Sequence, residues 1–132
     1  MIRYSPTTYD TQFKTITVSV EALDALGRTD DTPSYIRPGG IPAPDLPWWI
    51  QAFHISRYLE CIGEIEVDRL ARRPVVRLSN NDERQDGRSA VIVVDGLESI
   101  AALRDAGVSL VDIEVPWRER EEIEARLINR DV

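Results

Sequence analysis

The chain has 132 residues, 42% of them hydrophobic, with 23 acidic and 16 basic side chains and a formal charge of −7 at neutral pH. That length suits one domain able to bury about two-thirds of its unfolded surface without staples. Its one cysteine, Cys61, excludes an internal disulfide and fits a reducing, cytoplasmic setting. No basic patch followed by an apolar run opens the sequence, and no stretch approaches the ~18 apolar residues of a membrane span, so neither a signal peptide nor a span is expected.

In chain order, residues 15–20 alternate, with Ile16, Val18 and Val20 on one side and threonines and a serine on the other, which predicts a half-buried strand. Residues 21–26 predict a short helical turn ended by Gly27. Residues 28–47 hold Pro33, Pro38, Pro42, Pro44 and Pro47 with Gly39 and Gly40. The prolines forbid a continuous helix or central strand and predict a long loop. Asp45 is the expected N-cap of the best helix in the sequence, with Pro47 in its first turn. Trp48, Ala52, Ile55, Leu59 and Ile62 recur at helical spacing as its apolar stripe, and Gly63 supplies a stop. Residues 64–73 predict a shorter helix with Val67, Leu70 and Ala71 inward, ended by Pro74.

Residues 74–78 and 90–95 predict strands. Val91, Ile92, Val93 and Val94 are apolar without alternation, so the second strand is expected to be covered on both faces. The polar run 79–89 between them reads as an exposed hairpin loop. Residues 97–106 predict a helix with Ile100, Ala101 and Leu103 toward the sheet and Gly107 past its end. Residues 110–115 alternate again, with Val111, Ile113 and Val115 inside and Asp112 and Glu114 outside, before Pro116. Residues 117–130 predict a charged helix with a narrow stripe, chiefly Ile123 and Leu127, and a Glu122–Arg126 pair. The expected architecture is a single α+β domain over 1–132, with a small mixed sheet and helices packed mainly on one side.

The run Val-Ile-Val-Val-Asp-Gly at 91–96, continued by Leu-Glu-Ser-Ile-Ala-Ala-Leu-Arg-Asp-Ala-Gly to Gly107 and closed by Val115-Pro116, is a strand, a tight turn, a helix and a strand. It resembles the core of the ParB/sulfiredoxin-like family, and the looser order of elements upstream is compatible with it. Backbone N–H groups at such a strand-to-helix turn favour an anion. The resemblance implies a histidine or arginine after the Asp-Gly to hold phosphate, or in sulfiredoxins a cysteine. Here those positions are Leu97, Glu98 and Ser99. None is a cation, and Glu98 suits the helix dipole while repelling a phosphate. The simpler reading is that Asp95-Gly96 is only a turn before a helix, with no catalytic residue and no cofactor. The alternative is a nucleotide-binding or nuclease-like enzyme built on Asp95, Gly96 and Ser99, with Arg73 or Arg77 in place of the missing cations.

His54, the one histidine, and Cys61 stand seven residues apart on one helical face, about 10 Å along the axis, too far for a direct hydrogen bond. Both are expected to be structural, and together they cannot make a four-ligand zinc site. Arg69, Arg72, Arg73, Arg77, Arg84 and Arg88 cluster loosely but are interspersed with acids, so nucleic acid is not the expected partner. Adjacent Trp48 and Trp49 point about 100° apart on a helix and cannot share one core. One ring, Trp49, is therefore either exposed or covered by residues 35–44 folding back. A proline-stiffened loop beside an exposed indole has the anatomy of a binding hot spot, which assigns a partner surface to Tyr35, Arg37, Trp48, Trp49 and Phe53. The expected function is that of a non-catalytic acidic protein. It would bind, and inhibit or regulate, another protein with a basic surface, in an immunity, anti-restriction or plasmid- or phage-accessory role.

Overall fold

In the computed structural model, residues 3–4, 12–28, 35–70, 72–78 and 91–128 are described. The elements are β1 (Arg3–Tyr4), β2 (Phe13–Ser19), α1 (Val20–Arg28), α2 (Trp48–Glu66), β3 (Arg69–Leu70), β4 (Val75–Leu78), β5 (Val91–Asp95), α3 (Leu97–Asp105), β6 (Leu110–Pro116) and α4 (Arg120–Ile128). Strands order as β2-β6-β4-β5 in one mixed sheet, while β1 and β3 make a separate parallel pair. β2 runs antiparallel to β6, β6 parallel to β4, and β4 antiparallel to β5. The polar run 79–89 lies outside the described residues.

Period-2 alternation sorts the sheet into a core face and an open face. Ile16 and Val18 of β2 pair with Ile113 and Val111 of β6. Together with Val76 and Val115 they join Leu23 of α1, Ile100 and Leu103 of α3, and Ile123 and Leu127 of α4 in one buried cluster. The helices of that cluster thus cover a single side of the sheet. On the opposite face Thr15 and Thr17 donate hydrogen bonds to Glu114 and Asp112 across the β2–β6 pair. Glu114, expected outside, is instead buried on that face, where Arg73 meets its carboxylate at 3.2 Å.

Three further expectations are overturned. β5 is an edge strand, and Ile92 and Val94 are exposed on the open face rather than covered. β-branched side chains favour an extended backbone whether or not both faces are buried, so the unbroken apolar run misread the position. Next, α2 runs without a break through Gly63, which keeps a helical backbone. The left-handed residue that ends it is Asp68 at φ 55°. Within the predicted helix 64–73, residues 64–66 end α2, 67–68 turn and 69–70 form β3; Val67 is exposed, Leu70 is buried, and Ala71 lies outside the described residues. Finally, Pro47 rather than Asp45 is the N-cap, with no side-chain hydrogen bond to the helix start. Gln51 reaches back instead, donating from Nε2 to the carbonyls of Leu46 and Pro44.

α1 is also longer than the turn expected from residues 21–26. It begins directly after β2, where Ser19 Oγ accepts the Ala22 N–H. That is the bond by which an N-cap serine starts a helix.

A candidate partner-binding face

α3 is the middle layer of the molecule. Ile100 and Leu103 face the sheet, whereas Ala101 and Ala102 face Tyr58 and Cys61 of α2. Small alanines at that contact let the two helices approach closely. On its inner face α2 buries Tyr58 and Cys61. His54 sits beside them, its Nδ1 3.0 Å from Glu98 Oε1, and Cys61 Sγ lies 3.3 Å from Ser99 Oγ. Burial pushes the Cys61 thiol above its ordinary range, so it is a poor nucleophile. His54 and Cys61 are thus internal contacts between two helices, as the sequence suggested.

The outer face of α2 is apolar. At about 100° per residue, Trp48, Ala52, Ile55 and Leu59 form one row, with Trp49 and Phe53 beside it. Trp48 is 79% exposed, Trp49 60%, Leu59 61% and Phe53 58%. Of the apolar stripe that marked this helix in the sequence, Trp48, Ala52, Ile55 and Leu59 are therefore turned outward, while Ile62 packs beside Tyr58 and Cys61. Both tryptophans face solvent, and residues 35–44 do not cover Trp49.

Those residues are fixed elsewhere. Arg104 Nη1 donates to Asp24 Oδ1 at 2.8 Å and to the Ile36 carbonyl at 2.7 Å. Asp105 Oδ2 accepts the Tyr58 O–H at 2.7 Å and the Gly39 N–H at 3.0 Å. Burial opposes the charge on Arg104, but hydrogen bonds to Asp105 and Asp24 outweigh it and hold the guanidinium above its ordinary value. Burial likewise opposes the Asp105 carboxylate, yet Arg104, Tyr58 and Gly39 together keep it below the usual range. Burial, then the bond to Asp105, pushes the Tyr58 hydroxyl up to about 12. Gly40, at φ 79°, has Tyr58 against it so closely that a Cβ would lie 2.4 Å from the ring. The turn at Arg37 and Ile41 is thus pinned onto α2 and α3.

The predicted partner residues therefore divide. Trp48, Trp49 and Phe53 share the open face. Arg37 is exposed in the pinned turn, paired through its backbone with Ile41. Tyr35 is half-buried, with its hydroxyl on Asp24 and Arg104 over its ring, so it serves the network rather than the surface. Ile55 and Leu59 extend the exposed apolar area of α2, although the sequence reading named them only as part of the helical stripe and not as partner residues; Ile41 is exposed in the turn. The available signal was that α2 is apolar on two faces, Trp48-Ala52-Ile55-Leu59 and Ile50-Tyr58-Cys61-Ile65. A helix apolar all round has two surfaces to bury.

The side chains of the alternative anion site are engaged with separate partners. Gly96 takes φ 98° and packs on Pro74, where a Cβ would come within 2.8 Å of backbone, so its conformation serves the turn. Ser99 is buried against Cys61, and Arg73 is bound to Glu114. Asp95 lies 3.9 Å from Arg72. Arg77 lines a different cleft of about 340 Å³ with Gln12, Phe13, Trp117 and Glu119. The geometry does not bring Arg73 and Arg77 together over Asp95-Gly96.

Among the described residues, no group of three or more histidine, cysteine or carboxylate side chains could hold a metal, and no helix is long and apolar enough to cross a membrane. Comparison with protein-family models, with curated proteins and with solved structures gives no match.

Proposed function

We propose that this chain is a non-catalytic interaction protein that binds another protein through the outer face of α2 and thereby inhibits or regulates it. The observation that carries this reading is the exposure of Trp48, Ile55 and Leu59 along one side of the outer face of α2 and of Trp49 and Phe53 along the other. These side chains lie on a helix whose other face is locked to α3. Monomeric proteins seldom expose contiguous apolar patches larger than a few hundred Å² unless something docks there. Tryptophan is also the residue most often found at the energetic centre of an interface. The proline-rich turn is held beside the helix by Arg104 and Asp105, so binding requires little further ordering.

The same reading accounts for the turn at Asp95-Gly96. We take the unit from β5 to β6 as a ParB/sulfiredoxin-like strand, turn, helix and strand whose anion position carries a carboxylate. Glu98 lies in the first turn of α3, where a phosphate would sit, and is held by His54. An accessory role of the immunity, anti-restriction or plasmid- or phage-borne kind suits a small acidic chain with this anatomy.

The test is capture of the native partner from host extract by wild-type protein and by Trp49→Ala, with a melting curve on each. Trp49→Ala is expected to melt within a few degrees of wild type, since an exposed substitution changes stability by about 0.5 kcal/mol or less, and to lose the partner. A loss of stability large enough to account for the loss of capture would return Trp49 to the core and overturn the assignment.

A further inference from the structure

Resting on that reading, we infer that the occupant of the α2 face is a basic amphipathic segment of the partner, an apolar stripe flanked by arginine or lysine. The end of α2 that follows the aromatic residues is acidic. Glu60 and Glu66 are exposed, Glu64 is half-exposed, and the one cation of the helix, Arg57, is already bonded to Glu60 at 2.6 Å. The last turn of α2 holds no basic residue. Its carboxylates therefore lie at the negative end of the helix dipole, and no cation of that turn offsets them.

The other half of the face attracts cations by a second route. The faces of Trp48, Trp49 and Phe53 carry the negative pole of an aromatic quadrupole, which guanidinium and ammonium groups seek. The outer face thus offers apolar area and two kinds of cation site over a helix of 19 residues, about 28 Å long.

A second copy of this chain fits less well, because it would bring the same carboxylates and no free cation of α2 to the contact. The helix also leaves room for close approach. Ala52, Ser56 and Gly63 run down the middle of the outer face, all exposed, and a Cβ at Gly63 would meet nothing. Glycine inside a helix is destabilising relative to alanine, and nothing among the described residues uses the space it leaves.

The experiment is titration of the full chain with three synthetic helical peptides of equal length: leucine-arginine amphipathic, leucine-glutamate amphipathic, and a serine-lysine peptide with charge but no apolar stripe. Binding is read by indole fluorescence at low and at physiological salt, with sedimentation of the protein alone. The leucine-arginine peptide is expected to bind with a Kd on the order of 10 µM, and about fivefold more weakly at the higher salt. The other two are expected not to bind at physiological salt. Trp49→Ala and the pair Glu60→Lys with Glu66→Lys should each weaken binding about tenfold.

Equal binding of the leucine-glutamate peptide would overturn the charge assignment, and equal binding of the serine-lysine peptide would reduce it to unspecific attraction. Dimerisation of the protein alone, abolished by Trp49→Ala, would assign the face to a second copy instead. If no peptide binds while Trp49→Ala still loses the native partner from extract, the partner chemistry fails and the interaction reading stands.

Discussion

α2 and α3 are neighbours in space with opposite relations to solvent. α3 has 9 residues and buries five in succession, Ser99 to Leu103, because it has the sheet on one side and α2 on the other. α2 has 19 residues and buries two, because it is the outermost layer and nothing in the described chain lies over it. Both sequences are rich in apolar residues at helical spacing. Apolar periodicity thus marks which faces need covering, while the position of a helix in the layering decides whether the chain itself covers them.

The sharpest way to break this contrast is a matched pair of truncations. Leu103 is fully buried and Leu59 is 61% exposed. Leu103→Ala is expected to cost about 2–5 kcal/mol in urea unfolding, the range for a core leucine. Leu59→Ala is expected to cost about 0.5 kcal/mol or less. Comparable losses would mean that the outer face of α2 is part of the fold.

A smaller effect follows from the seam between the two helices. Tyr58 titrates at about 12 in the folded chain against an ordinary 10.0. The folded state therefore favours its neutral form. Below pH 10 that preference contributes its full stability, and it is lost as the pH rises through 10 toward 12, because the unfolded chain releases the proton first. Melting curves between pH 9 and 12 should show this decline on top of the general alkaline loss, and Tyr58→Phe should make it shallower. An unchanged slope in Tyr58→Phe would remove Tyr58 from the seam.

Much of the sheet was legible in the sequence. Ile16 and Val18, like Val111, Ile113 and Val115, alternate with polar residues, and a strand with one buried face must read that way. Ile123 and Leu127 likewise marked the inner side of α4. β5 was misplaced because an unbroken β-branched run looks the same at an edge as in the centre. The side on which α2 is covered was not legible because it carries two apolar stripes, and helical spacing alone does not say which one is inside.

For the site, the 100° between Trp48 and Trp49 was enough to require an outward ring, but not to show that both are outward. The role of Tyr35 was hidden for a different reason. Its partners Asp24 and Arg104 lie 11 and 69 residues away, and no local pattern joins them.

The central claim, that the aromatic face of α2 is open in the free chain, is tested most directly by iodide quenching of Trp117→Phe, whose remaining indoles are Trp48 and Trp49. The account predicts emission like that of indole in water and quenching of both rings close to that of a free tryptophan derivative, with a melting temperature near that of wild type. Blue-shifted emission that iodide cannot reach would mean that the face is already covered in the free protein, and would contradict it.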